Sequence, residues 1–299
     1  MTRIGIEIGG TKQQIVVGDA EGRIIDRCRF TVDPAGGGPV IRDRMAEELP
    51  PILAEHHPER IGVGFGGPVD IAAGTVAVSH QIEGWSGFPL RDWLHELTEL
   101  PVVIENDANT AALGESLRGA CRGFNPAFYM NMGSGVGGGL VIDGKIYHGD
   151  KPGEVEVGHL RIDLDSNTVE DRCSGWAVDR AIRTALGNHP DSLLISLCGD
   201  TPGGEAKHLT EALAQGDTLA QDILTSVTRD LAFALSHVTH LFHPQVITLG
   251  GGLSLIGVPL RKSIEEQLPG FLMEIYGNGP PIKLAELGED AVPVGALLL

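Results

Sequence analysis

A tight glycine turn between two apolar strands occurs twice in this chain. The first copy covers residues 6–24 and the second covers residues 131–146. Each copy has the pattern of a strand, a glycine turn, a second strand, an Asp/Gly turn and a third strand. Superposing Gly9 on Gly133 aligns the two copies through the Asp/Gly turn. Facing units of this kind would present two sets of backbone N–H groups to one anion. The repeat therefore predicts two related domains that hold a phosphate between them.

A third glycine turn, Gly250-Gly251-Gly252, follows the apolar strand 246–249. We expect a helix from Ser254, so that the helix dipole favours an anion or a nucleotide at this turn. The chain has neither a GxxxxGK[ST] motif nor a GxGxxG motif that opens a helix, which argues against a P-loop and a Rossmann site. A single Gly-Gly-Thr turn is more often an ordinary hairpin, but three turns after buried strands favour phosphate binding.

A polar segment, residues 105–109, lies where the strand 101–104 passes into a helix that begins near Ala108. Ligands in α/β proteins bind beyond the carboxyl ends of strands, which makes Asp107 a candidate catalytic carboxylate. The alternative is that Asp107 only caps the helix by accepting backbone N–H bonds. Both interpretations stay open at this point.

Composition limits the class of protein. The chain has 299 residues, 42% hydrophobic residues and a formal charge of −18. This length predicts two domains. The charge argues against nucleic acid or an anionic membrane as a partner, although backbone amides can still bind a phosphorylated ligand. No apolar run reaches the ~18 residues of a membrane span, and we expect neither a leader nor a helix-turn-helix before the first strand.

Four cysteines are scattered without a CxxC pair, which indicates neither a disulfide framework nor a zinc ribbon. Together with the missing leader, this predicts a cytoplasmic protein. We expect His237, His240 and His243 to lie in the last turns of a long helix and to have a structural role. The three tryptophans are expected to be packing residues.

Apolar periodicity predicts the main elements. A meander is expected at 3–9, 13–18 and 23–31, and a helix at 40–55 that is broken at Pro50-Pro51. The other predicted helices are 89–97, 108–117, 175–187, 205–215, 217–242 and 292–299.

Six motifs taken together resemble the ROK (repressor, open reading frame, kinase) family of sugar kinases. They are Glu7-x-Gly9-Gly10-Thr11-Lys12, Gly66-Gly67-Pro68-Val69-Asp70, Glu105-Asn106-Asp107-Ala108-Asn109, Gly133-Ser134-Gly135-Val136-Gly137-Gly138-Gly139, Glu156-Val157-Gly158-His159 and Gly250-Gly251-Gly252. The resemblance implies an α/β fold of duplicated actin-like ATPase (ribonuclease H-like) domains with a cleft between them. The expected domains are 1–116 plus 289–299, the smaller, and 117–288, the larger.

The resemblance also implies ATP-dependent transfer of the γ-phosphate to a hexose hydroxyl, most often the 6-hydroxyl of glucose. Asp107 would be the catalytic base. The residues that would bind the sugar are Gly67, Gln81, Asn106, Asp107, Glu156, His159 and Glu170. The residues that would bind the phosphates are Gly9, Gly10, Thr11, Lys12, Gly133, Ser134 and Gly135, while Gly251 and Gly252 would lie against the adenosine. Glu7 would reach Mg²⁺ directly or through water.

Three departures from the family pattern are informative. The usual aspartate of the first phosphate motif is Glu7, one methylene longer, and Gln81 replaces an asparagine on the sugar side. The cysteine-rich zinc motif is missing, since only His159 and Cys173 remain, so we expect no structural zinc. Glu170 is the candidate for the sugar-binding glutamate that normally ends this motif.

Several alternatives stay open. Mannose, fructose and an N-acetylated hexosamine are the alternative substrates, and polyphosphate is the alternative donor to ATP. A sugar-binding regulatory protein with this fold and little kinase activity is the alternative from another functional class. The resemblance further implies a homodimer whose small-molecule partners are a sugar and ATP.

Overall fold

The computed structural model describes residues 1–10, 12–31, 36–79, 82–150 and 152–299. The strands within this part are β1 (Thr2–Ile8), β2 (Lys12–Asp19), β3 (Ile24–Thr31), β4 (Ile61–Phe65), β5 (Val69–Asp70), β6 (Thr75–Val76), β7 (Val102–Asn106), β8 (Ala127–Met132), β9 (Val136–Ile142), β10 (Lys145–Ile146), β11 (Val246–Gly250) and β12 (Ile282–Leu284). The helices are α1 (Gly37–His56), α2 (Leu90–Thr98), α3 (Asp107–Arg118), α4 (Val169–Cys173), α5 (Gly175–Leu186), α6 (Leu194–Cys198), α7 (Leu209–Ala214), α8 (Thr218–Phe242), α9 (Val258–Gln267) and α10 (Ala291–Leu298).

The two larger sheets have the same plan. Their strand orders are β3-β2-β1-β4-β7 and β10-β9-β8-β11-β12. In the first, the antiparallel meander β1–β3 is extended by the parallel strands β4 and β7. In the second, β9 and β10 pair antiparallel, and β11 lies parallel to both β8 and β12. The duplication expected from the two glycine turns is confirmed.

Internal contacts divide the chain into two compact units. The first comprises residues 1–122, 139–154 and 289–299, and the second comprises residues 123–138 and 155–288. The predicted division places the first boundary after residue 116 and leaves 139–154 with the larger domain. These domain boundaries stay a prediction.

In the first unit, α10 packs against β1, β4 and α3 through glycines. A Cβ on Gly62 would overlap the carbonyl oxygen of Ala296, and a Cβ on Gly295 would overlap that of Thr110. Only glycine permits so close an approach of two backbones. The terminal helix predicted at 292–299 is confirmed, and these contacts seat it on the sheet.

The prediction that α1 is broken at Pro50-Pro51 is wrong. The helix runs from Gly37 to His56 with both prolines inside it. Each proline removes one helical hydrogen bond, but both are exposed, so water can satisfy the carbonyls that lose a donor. The helix ends with His57 in the left-handed conformation at φ 47°.

The histidines expected to be structural lie in the last turns of α8 or just after it. His243 caps the helix with φ 48°, and both His240 and His243 contact the ring of Tyr276 edge to face. His237 stacks edge to face against Phe233. Aromatic packing of this kind is consistent with the structural role.

Candidate active site

Three parallel strands end together at one edge of the first sheet. The register pairs Ile8 of β1 with Phe65 of β4, and Phe65 with Asn106 of β7. The residues that follow these strands, Gly9, Gly66 and Asp107, therefore emerge side by side. This is the edge at which ligands bind in α/β folds.

Asn106, rather than Asp107, is the N-cap of α3. Its Oδ1 accepts the N–H of Ala108 at 2.9 Å and that of Asn109 at 3.2 Å. Asp107 is the first helical residue, and its Oδ1 accepts the Ala108 N–H at 2.8 Å. The interpretation of Asp107 as the helix cap is thus wrong, because the preceding amide already performs that role.

The half-buried Asp107 carboxylate faces the glycine loops. A Cβ built on Gly66 would lie 3.5 Å from Asp107 Oδ2 and 3.5 Å from the Cα of Gly9. The Gly66 N–H donates to the carbonyl of Ile8 at 2.8 Å, and Gly67 adopts φ 154°. A side chain at residue 66 would crowd the space beside the carboxylate, so the glycine keeps that space open for a ligand.

Glu7 lies on β1, two residues before Gly9. Its carboxylate is half-buried and accepts a hydrogen bond from Nε2 of Gln14 on the neighbouring strand. Gln14 is itself completely buried, and its Oε1 accepts from Arg29 Nε at 3.3 Å. This network holds the Glu7 carboxylate in place near the first glycine turn.

The second glycine turn links β8 to β9 and is braced from two sides. The Gly133 N–H donates to the Gly135 carbonyl at 2.9 Å, and the Gly175 N–H donates to the Gly133 carbonyl at 2.8 Å. Glu170 Oε2 accepts the N–H of Val136 at 2.8 Å. The sequence proposed Glu170 for sugar binding; here its carboxylate supports the glycine turn, and a sugar contact stays a prediction.

The third glycine turn lies beside the second one. β11 pairs parallel with β8, and the register places Gly250 opposite Asn131. Gly251 has φ 79°, and a Cβ there would lie 2.5 Å from the backbone of Met132. The prediction of a helix directly from Ser254 is wrong. Residues 252–256 form a 3₁₀ turn, and α9 begins only at Val258, so the full dipole of an α-helix does not start at this turn.

A cavity of 420 Å³ opens between these two turns within the second unit. Gly133, Ser134 and Gly252 contribute backbone to its wall. Its apolar side chains are Trp176, Leu253, Leu255 and Ile256, and its polar side chains are Asp179, Lys207 and Thr210. An apolar pocket with a few polar groups beside glycine turns is suited to a planar base next to a phosphate chain.

The sequence did not identify the part of the cavity wall formed by Gly204, Ala206 and Lys207. Asp179 on α5 accepts the N–H groups of Gly204 at 2.9 Å and Ala206 at 2.7 Å. One helical turn later, Arg183 binds Glu205 and donates to the Gly199 carbonyl at 2.7 Å. The only signal in the sequence was the i, i+4 spacing of Asp179 and Arg183. That spacing does not identify a cavity wall, because such pairs are common on exposed helices.

Trp176 follows the N-cap residue Ser174 and lines the cavity with 57% of its surface exposed. The packing role predicted for all three tryptophans is therefore wrong for this residue. It holds for Trp85, which is fully buried and stacks edge to face against Phe65 and Phe88.

A 3₁₀ turn, Val157–His159, in the second unit begins directly after Glu156 and ends with His159. A Cβ on Gly158 would overlap the Val136 carbonyl, so this turn lies against the start of β9. Glu156 is half-buried and His159 is exposed. Two predicted residues, Thr11 and Gln81, lie outside the described residues, and Lys12 is described only as the backbone start of β2.

Cys173, the one cysteine near the position of the missing zinc motif, is buried. Its Sγ lies 3.8 Å from the Val227 carbonyl, and burial raises the pKa of the thiol. A thiol held protonated in the core is a poor zinc ligand.

Within the described residues, no helix is both long and apolar enough to cross a membrane.

Comparisons with known proteins agree with this geometry. The family model of the ROK family matches residues 3–299. A glucokinase of Halalkalibacterium halodurans is 31% identical over 98% of this chain and 92% of its own length, and a glucokinase of Streptomyces coelicolor is 33% identical over 98% and 95%. The crystal structure of a ROK glucokinase from Streptomyces griseus with glucose and AMPPNP superposes with a TM-score of 0.86, at 32% identity over 99% of this chain and 98% of that one. The duplicated actin-like fold, its paired glycine turns and these matches together place this chain in the ROK family.

Proposed function

We propose that this protein is an ATP-dependent hexose kinase that transfers the γ-phosphate to the 6-hydroxyl of glucose. The position of Asp107 carries the proposal. Its carboxylate stands at the carboxyl edge of three parallel strands, beside two glycine loops, and is not the helix cap. Phosphoryl transfer requires mainly positioning and charge stabilisation, and a carboxylate held in this way can accept the proton of the attacking hydroxyl.

The cavity of the second unit supports the nucleotide assignment. Gly251 and Gly252 are proposed to lie against the adenosine, while Trp176 and the leucines of the wall cover the base. Gly133, Ser134 and Gly135 are then proposed to bind the phosphates, with Ser134 and Gly135 presenting their backbone N–H groups while the Gly133 N–H closes the turn. In the first unit, Gly9, Gly10, Thr11 and Lys12 are proposed to do the same.

Glu7 is proposed to hold the catalytic Mg²⁺. The ion commonly uses one or two carboxylates together with substrate phosphates and water, so a single carboxylate fits it. When bound, Mg²⁺ neutralises charge on the phosphate oxygens. Gln14 keeps the Glu7 carboxylate oriented through its own hydrogen bond. No structural zinc is part of the proposal, because the Cys173 thiol is committed to the core.

Sugar selectivity is proposed to depend on hydrogen bonds to the sugar hydroxyls. The residues proposed to form them are Gly67, Gln81, Asn106, Asp107, Glu156, His159 and Glu170, with Gly67 acting through its backbone. A substrate that lacks one hydroxyl leaves a polar partner unpaired, which is strongly unfavourable.

The protein is further proposed to be a cytoplasmic homodimer. The free thiols of Cys28, Cys173 and Cys198 are compatible with a reducing compartment.

An assay that couples ADP release to a colour change, run on glucose, mannose, fructose and N-acetylglucosamine, tests the function. We expect glucose to give the highest kcat/KM with ATP, and polyphosphate supplied in place of ATP tests the donor. Sugar binding by calorimetry without turnover on any hexose would instead establish the regulatory alternative. Light scattering of the same sample tests the dimer.

A further inference from the structure

Four polar side chains outside the proposed reaction form a cluster in the first unit. We call Glu105, Asn109, His148 and Glu154 the Glu105 cluster. Glu105 ends β7, Asn109 lies on α3, and the other two flank the loop after β10. Glu105 and Asn109 are 3% and 2% exposed, and the Glu154 side chain is 10% exposed. The cluster thus brings two nearly buried carboxylates together.

The positive charge opposite these carboxylates is small. His148 Nε2 lies 3.3 Å from Glu105 Oε2, and His148 Nδ1 lies 3.0 Å from Glu154 Oε1. Among the described residues, both glutamates form an ion pair with this histidine. A neutral imidazole has one N–H, so one ring nitrogen directs a lone pair at a carboxylate oxygen. Unpaired buried charge is costly, and burial raises the pKa of Glu105.

Asn109 supplies an independent observation. Its Nδ2 donates to Glu154 Oε1 at 2.8 Å and to Glu105 Oε1 at 3.1 Å, which places the amide between the two carboxylates. Its Oδ1 is buried and has no hydrogen-bond partner among the described residues. Rotating the amide by 180° would put Oδ1 between the carboxylates, an arrangement that a cation shared by these oxygens makes favourable. The orientation of an amide is assigned from such partners.

The distances suit one ion. One ligand atom each from Glu105, His148 and Glu154 lie within 4.8 Å of one another. Ligand atoms about 2.1–2.2 Å from a shared cation lie roughly 3 to 4.4 Å apart, so small side-chain rotations suffice. Carboxylate and amide oxygens suit Mg²⁺, Ca²⁺ and Mn²⁺, whereas an imidazole disfavours the first two.

We propose that the Glu105 cluster binds a divalent transition cation of the Mn²⁺ type. This site is separate from the magnesium proposed at Glu7 and does not depend on the proposed kinase activity. The cation would join His148 and Glu154 to the end of β7 and to Asn109 of α3. Since Glu105 immediately precedes Asn106 and Asp107, the bound ion would stabilise the segment that carries the proposed base.

Titration of the metal-free full-length protein with Mn²⁺, without nucleotide or sugar, tests the proposal. The electron paramagnetic resonance signal of free Mn²⁺ disappears on binding. We expect one equivalent per chain, and at least about tenfold weaker binding in His148→Gln and Glu154→Gln, because each removes a ligand. His56→Gln is the matched control, since His56 also contacts a carboxylate, at 3.2 Å from Asp26, but outside the cluster.

Thermal unfolding supplies a second measurement that detects a variant that fails to fold. Mn²⁺ should raise the unfolding midpoint of the parent protein and of His56→Gln, and should raise that of the two cluster variants less. The absence of stoichiometric binding would overturn the proposal and leave the imidazole as the counter-charge. An affinity equal to that of the parent protein in both His148→Gln and Glu154→Gln would overturn it too, because the ion would then lie elsewhere.

Discussion

The side-chain amide of Asn106 donates a 3.1 Å hydrogen bond to the carbonyl oxygen of Gly67. The same side chain caps α3 through its Oδ1. One residue thereby ties the end of β7 to the loop after β4 and starts the helix whose first residue is Asp107. The orientation of the Asp107 carboxylate, the proposed base, therefore depends on both hydrogen-bonding functions of the Asn106 amide.

Asp107→Asn should lower kcat by on the order of 10²-fold or more, because an amide cannot accept the hydroxyl proton. Sugar affinity should change much less, since the amide still forms hydrogen bonds. Steady-state kinetics with ATP and glucose, together with calorimetry of glucose binding, measure the two effects. Asp92→Asn, an exposed acid in the first turn of α2, is the control. Turnover near the parent value in Asp107→Asn would rule out the base.

Asn106→Asp separates the two functions of Asn106. Aspartate caps a helix as well as asparagine does, but it cannot donate to the Gly67 carbonyl. We expect the unfolding midpoint to fall only slightly, while kcat/KM for the sugar falls by about tenfold or more, as for a lost hydrogen bond of roughly 1.4 kcal/mol. Asn106→Ala should lower both. A kcat/KM in Asn106→Asp equal to that of the parent would show that the Gly67 bond is dispensable.

Adjacent glycines of the third turn should respond differently to a side chain. Gly252 lines the cavity and has no atom within 4 Å of a built Cβ, so Gly252→Val should fold normally and raise KM for ATP. Gly251 has φ 79° and no room for a Cβ, so Gly251→Ala should be less stable by roughly 1–3 kcal/mol. Gly270→Val is the control, because that glycine is also open but lies elsewhere. An unchanged KM in Gly252→Val would remove the nucleotide from this cavity.

Arg183→Leu should destabilise the second unit. Glu205 is 1% exposed, and loss of Arg183 leaves its buried carboxylate without that partner, at a cost of roughly 2–4 kcal/mol. Arg261→Leu, which breaks the more exposed pair with Glu265, should cost less than about 1 kcal/mol. Urea unfolding measures both changes. Equal losses in the two variants would contradict a special role for the buried pair.

The ion pair of Arg183 and Glu205 also predicts that the loss of stability in Arg183→Leu depends on pH. Burial alone would raise the pKa of Glu205, but hydrogen bonds from Gly203 and Arg183 outweigh it and hold the pKa below its usual range. The stabilisation is thus present above the ordinary pKa of the carboxyl and is lost as the pH falls through its lower folded value. The stability difference between parent and Arg183→Leu should shrink below about pH 4.

Local signals were sufficient for the repeated meander. Strand alternation and the glycine turns at Gly9 and Gly133 are encoded within about twenty residues, so the two sheets could be predicted. The break predicted at Pro50-Pro51 was wrong because the cost of a proline inside a helix depends on its position. A carbonyl that loses its donor can bind water only on the exposed face, and the sequence did not show which face that is. The capping role considered for Asp107 belongs to the preceding residue, because Asn106 and Asp107 are both good caps and only the backbone selects one.

The sequence by itself determined the family, the glycine turns and the candidate base, since each is a contiguous motif whose chemistry is local. Only the tertiary structure decided which distant groups meet. Asp179 and Arg183 contact residues that lie roughly twenty positions further along the chain, and Glu105 contacts His148, which lies more than forty positions further along. Such contacts follow from how helices and loops pack on the sheets. Side chains that are unremarkable in sequence become a cavity wall or a charged cluster only when burial removes the water around them.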